Sequence, residues 1–190
     1  NQLDDPTVGD RLMVENFINY ALPGSPDAQF YIYQRWPRRS INTPGPGGLD
    51  YAATYLTPYH YSASLNWWDL DSERQDYFTQ LLNDVNADLP AFTKPVRMVP
   101  VGDVLLALQR EIQAGNLPGI TDVTALYKDA IHLNNVGSFL VGTTFYATLY
   151  KTSPVGLPVP DEYIPAEATD MTITPQMAAL IQQTVWDVVS

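Results

Sequence analysis

Asp129 and His132 stand three residues apart in Tyr127-Lys128-Asp129-Ala130-Ile131-His132-Leu133-Asn134-Asn135-Val136-Gly137. Across one tight turn, that spacing can bring a carboxylate beside one imidazole nitrogen. Such a contact fixes the tautomer, stabilises the imidazolium and leaves the second nitrogen to take a proton from a serine hydroxyl. The same spacing also serves a capping or surface pair, and the pattern alone leaves both open. His60 is the other histidine, between Tyr59 and Tyr61, where a metal or substrate could meet it. With no cysteine and no histidine at helical or hairpin spacing, the sequence offers no metal site. Trp36 closes a predicted strand, where α/β folds hold ligands. It is a candidate substrate contact, as is Tyr59. Tyr59 belongs to a cluster with Tyr51, Tyr55, His60 and Tyr61 that could stack on a sugar or wall an acyl pocket. Packing is the alternative for both. Residues 44–48, Pro-Gly-Pro-Gly-Gly, lack the Lys-Ser/Thr of a phosphate loop, and no cofactor is implied.

The elements that must position these residues follow from periodicity. Residues 7–21 carry Leu12, Met13, Phe17, Ile18 and Ala21 at helical spacing, with Thr7 and Asp10 as a start box. Residues 29–34, Gln-Phe-Tyr-Ile-Tyr-Gln, predict a strand. A long irregular loop with its aromatic cluster fills 37–62, of the kind that is usually functional. Ser72 with Gln75 predicts a capping box for a helix running to Asp88, with Tyr77, Phe78, Leu81, Leu82 and Val85 along one face. Residues 95–101 predict a second strand, and Val104, Leu105, Leu108 and Ile112 a short helix ended by Gly115. Asn134 caps a helix reaching about Tyr150, and Thr174-Pro175 opens a last one. Six helical segments against two strands is an awkward count, because two parallel strands alone do not make a stable sheet.

The run Val96-Arg97-Met98-Val99-Pro100-Val101-Gly102-Asp103, then Leu126-Tyr127-Lys128-Asp129 and His132-Leu133-Asn134 with Gly137, resembles the C-terminal half of SGNH (GDSL-type) hydrolases. The Tyr-rich stretch Phe145-Tyr146-Ala147-Thr148-Leu149-Tyr150 and Ser153-Pro154-Val155-Gly156-Leu157 extend the likeness, as does Gln34-Arg35-Trp36-Pro37. It covers roughly residues 17–190. The resemblance implies a three-layer, flavodoxin-like α/β sandwich with a parallel sheet in a single partial domain, 1–190. It further implies Asp129 as orienting carboxylate, His132 as general base, and an exported ester hydrolase, periplasmic or extracellular, acting on a small ester or acylated carbohydrate. The family's Gly-Asp-Ser nucleophile block and its oxyanion-hole Gly and Asn lie ahead of this segment. None of Ser25, Ser40, Ser62, Ser64, Ser72, Ser138, Ser153 and Ser190 stands in such a block. The chain is therefore expected to be a fragment whose nucleophile belongs to a missing N-terminal segment or a second chain. A non-catalytic binding or assembly protein is the competing expectation.

Composition bounds the remaining classes. The 190 residues, 45% hydrophobic, suffice for one ordinary globular domain. Ten basic residues against 21 acidic ones, a net charge of −11, count against nucleic acid or an anionic membrane as partner. No apolar run reaches the roughly 18–20 residues of a membrane span. Without cysteine there are no disulfides or thiolate metal sites.

Overall fold

The computed structural model describes residues 3–40, 42, 46–59, 70–89 and 93–190, the side chains of 70 and 71 excepted. His60, Tyr61, Ser62 and Ser64 lie outside the described residues. The chain divides into two compact units: Asn1–Gln34 with Leu56–Val99, and Arg35–Tyr55 with Pro100–Ser190.

In the first unit, α1 (Asp10–Ala21) precedes β1 (Tyr31–Tyr33), and α3 (Gln75–Asp88) precedes β2 (Arg97–Val99). The strands are parallel, with Tyr31 opposite Arg97, Ile32 opposite Met98 and Tyr33 opposite Val99. The Phe30 carbonyl accepts from Arg97 N at 3.1 Å, and Gln34 N donates to Val99 O at 3.1 Å. A pair this short cannot hold itself together. It is held by helices: Ile18, Ile32, Phe78, Leu81, Val85 and Val96 share one buried cluster. Arg11 ties α1 to α3 through Asp88, with Glu15 on its own helix at 3.1 Å. The start box expected at Thr7 and Asp10 does not form. Instead Asp5 Oδ1 accepts from the Thr7 and Val8 amides at 2.8 and 2.9 Å, making an Asx turn that postpones the helix to Asp10. At Ser72 a 3-10 turn, Leu70–Glu73, likewise replaces the box, and Arg74 takes the N-cap position.

In the second unit, α2 (Tyr51–Tyr55) lies within the stretch expected to be irregular. Asp50 starts it, accepting from Ala53 N at 3.0 Å, and its two tyrosines, four residues apart, face α4 (Val101–Gln113). Tyr51 donates to the Gly102 carbonyl at 2.9 Å and Tyr55 to Asp103 Oδ1 at 3.1 Å. A Cβ on Gly102 would run into the Tyr55 ring. Glycine there lets the tyrosine lie directly on the helix. α4 buries Val104, Leu105, Leu108 and Ile112. α5 (Asn135–Tyr150) and α6 (Pro175–Val189) complete the unit, α6 burying Met177, Ile181 and Val185. Thr174 Oγ1 accepts from Met177 N at 3.2 Å, and Pro175 occupies the first turn, as the sequence predicts.

The three-layer α/β sandwich is overturned. The fold is mostly helical, with six α-helices and a single two-stranded parallel sheet among the described residues. Only residues 29–34 and 95–101 carry strand patterning, and of the second run Val101 already belongs to α4. The apolar residues of α1, α3, α4 and α6 recur at helical spacing and fold accordingly. No helix among the described residues is long and apolar enough to cross a membrane.

Candidate active site: the Asp129–His132 turn

The turn that carries Asp129 and His132 lies between a 3-10 turn, Val123–Leu126, and α5. Asp122 caps the 3-10 turn, accepting from Thr124 N at 2.8 Å, and the buried Gln109 of α4 accepts from Val123 N at 2.7 Å. The chain then reverses. Tyr127 and Leu133 pair as an isolated antiparallel bridge, with Lys128 N donating to His132 O at 2.9 Å and Asn134 N to Leu126 O at 2.8 Å. The reversal is closed by Asn134, which is buried. Its Oδ1 accepts from Val136 N and Gly137 N at 3.1 and 3.2 Å, capping α5, while Nδ2 donates to Ala125 O and Thr169 O at 3.0 and 2.9 Å. Gly137 permits the closeness of bridge and helix. A Cβ there would stand 2.6 Å from Leu133 Cβ and 3.0 Å from Leu126 O.

Within this frame the two side chains meet. His132 Nδ1 lies 2.7 Å from Asp129 Oδ2. The other carboxylate oxygen, Oδ1, accepts from His132 N at 2.7 Å and Ile131 N at 2.8 Å. Those two amides, with the His132 ring adding to them, pull the Asp129 carboxyl down to about 2. It is therefore ionised near neutrality and has no proton to give. The Nδ1–Oδ2 contact then requires Nδ1 to carry the proton, which leaves the lone pair of neutral His132 on Nε2. That nitrogen has no hydrogen bond among the described residues, and the His132 side chain is 71% exposed. Chemically the arrangement is an oriented imidazole base open to solvent.

Trp36 and Tyr59, the expected substrate contacts, belong to different units. Trp36 shares the unit of Asp129 and His132, and its indole N–H donates to the Ile131 carbonyl at 2.9 Å. Tyr59 belongs to the other unit, where its ring meets Tyr77 edge-on at 5.2 Å and its amide donates to Asp76 at 2.8 Å. Tyr51 and Tyr55 are buried against α4, so neither offers a face to a ligand. Ser138 follows the α5 cap, and no serine hydroxyl bonds to His132 among the described residues.

Several contacts that build the site carried no sequence signal. Arg39 donates through Nε to Asp129 O at 3.0 Å and through its amide to Ala130 O at 2.9 Å. Tyr127 donates its buried hydroxyl to Pro37 O at 2.7 Å. Asn135 draws in the 163–171 segment, donating to Tyr163 O and Met171 O at 2.8 and 2.7 Å. Asp170 returns the contact by accepting from Asn135 N at 3.1 Å. Among the described residues there is no group of three metal-ligating side chains. No protein-family model, curated protein or solved structure matches the chain.

Proposed function

We propose that Asp129 and His132 are the orienting acid and general base of a serine ester hydrolase of the SGNH type, acting on a small ester or acylated carbohydrate. The observation that supports this is the 2.7 Å Nδ1–Oδ2 contact, with the carboxylate fixed by two amides and Nε2 open. In the reaction, a serine Oγ attacks the ester carbonyl as its proton passes to His132 Nε2. The imidazolium is stabilised by Asp129, and the proton is then delivered to the leaving alkoxide. Water repeats the sequence on the acyl-enzyme. The nucleophile and oxyanion donors are assigned to polypeptide beyond these 190 residues, in the same gene product or a second chain, since no serine here stands in a nucleophile block.

The test is p-nitrophenyl acetate turnover. The 190-residue chain should not exceed background, the full-length gene product should hydrolyse the ester, and His132→Ala should abolish that activity. An active chain that loses turnover on Ser62→Ala or Ser64→Ala would relocate the nucleophile. A second reading, a non-catalytic binding or assembly protein, draws on the 71% exposure of His132 and the absence of a serine bonded to it among the described residues. An inactive full-length product would favour it.

A further inference from the structure

Three successive carbonyls of the turn, those of Asp129, Ala130 and Ile131, each accept a hydrogen bond from one short segment, residues 36–39. Trp36 Nε1 donates to Ile131 O at 2.9 Å, Arg39 N to Ala130 O at 2.9 Å, and Arg39 Nε to Asp129 O at 3.0 Å. A fourth bond runs the other way, from the Tyr127 hydroxyl to Pro37 O at 2.7 Å. A tight turn satisfies its own carbonyls with water or with neighbours in sequence, and one in which each central carbonyl meets a donor some 90 residues away is externally held. The planes of the Ala130 and Ile131 carbonyls carry the amides of Ile131 and His132, the two donors that grip Asp129 Oδ1, and the Asp129 carbonyl belongs to the backbone that bears the carboxylate itself. Because each peptide unit is rigid, fixing its carbonyl fixes the N–H on its far side.

We infer that Trp36 and Arg39 are positioning residues that orient the Asp129–His132 pair by holding the 129–131 carbonyls. Their function in catalysis rests on the hydrolase reading above, but their effect on geometry does not. Neither touches the reacting atoms. Trp36 acts through its indole N–H, which makes a phenylalanine ring an inadequate substitute despite its bulk. Arg39 acts through Nε, which a lysine lacks.

The test uses the 190-residue chain labelled with 15N, in Trp36→Phe and Arg39→Lys forms. Two signals are read: the tautomer of neutral His132 from its ring nitrogen shifts, and amide exchange at His132. Either substitution should move His132 from the Nδ1–H tautomer toward the mixture of an unrestrained imidazole. Trp36→Phe, which frees the Ile131 carbonyl and with it the peptide plane of His132 N–H, should also speed exchange of the His132 amide by roughly fivefold, the ratio matching one ordinary hydrogen bond, whereas Arg39→Lys keeps the backbone bond to Ala130 O and is read by the tautomer. Residues that only stabilise the unit would shift the denaturation midpoint and leave the native tautomer unchanged. An unchanged tautomer in both variants overturns the inference. If Trp36→Phe does not fold, Arg39→Lys alone decides. A shifted tautomer in a full-length product inactive toward esters would sink the hydrolase reading while leaving the positioning role standing.

Discussion

Replacing Asp129 by asparagine keeps the shape of the side chain and removes its charge, which isolates the electrostatic part of the site. The asparagine oxygen can still accept from the Ile131 and His132 amides, as Asp129 Oδ1 does now at 2.8 and 2.7 Å. Its amide nitrogen would face His132 Nδ1 as a donor, turning the imidazole to its Nε2–H tautomer and removing the Nε2 lone pair that the proposed hydrolase reading assigns to the serine proton. The Asp129 carboxyl is held down to about 2 against an ordinary 3.8, a difference worth at most about 2.5 kcal/mol. The side chain is 47% exposed, so solvent screening reduces this to about 1 kcal/mol. A carboxyl lowered by folding stabilises the native state above its unfolded value, and that contribution disappears as pH falls from about 4 toward 2. Urea denaturation of wild type and Asp129→Asn should therefore differ by about 1 kcal/mol at pH 7 and converge at pH 2–3. In the full-length gene product, ester turnover should fall by about 10⁴-fold, the scale of a misoriented catalytic histidine. Equal stability of the two forms at pH 7, or a gap that does not narrow with acid, would refute the electrostatic argument.

Other substitutions probe the frame. Asn134→Ala removes the α5 cap and two buried side-chain donations, to Ala125 O and Thr169 O, and should cost about 3 kcal/mol in urea melts. Gly137→Ala forces a Cβ within 2.6 Å of Leu133 Cβ. It should cost about 1–3 kcal/mol and broaden the His132 resonances, because the strain falls on the bridge beside the histidine. Tyr55→Phe loses only the bond to Asp103. It should cost about 1 kcal/mol by thermal melt and leave the His132 tautomer untouched.

The parts of the fold that were legible are those fixed locally. Asn134 and Thr174 cap their helices because each side chain bonds an amide two or three residues on, a relation visible in sequence. Thr7 offered the same signal and failed, because Asp5 Oδ1 draws the Thr7 hydroxyl and the Thr7 and Val8 amides into an Asx turn. The five residues of α2 were hidden in a loop composition rich in proline and glycine, although Asp50 and the i, i+4 tyrosines announce a short helix once sought. The sandwich was inferred from motif resemblance rather than from strand patterning, and that patterning supports two strands only. At the site, Asp129 and His132 were legible because their contact spans three residues. The Trp36 and Arg39 donations were not, since nothing in local spacing links residues 36–39 to a turn near 130.

The most direct test of the account asks whether His132 activates a serine at all. Full-length gene product treated with a fluorophosphonate should gain a phosphonyl group on one serine oxygen, as fluoride leaves the reagent's phosphorus and the serine proton passes to His132. Mass spectrometry of the digest locates the adduct. A single labelled serine outside these 190 residues is expected, and no labelling in His132→Ala. A labelled serine that persists undiminished in His132→Ala, or a wild-type protein that takes no label, would contradict it.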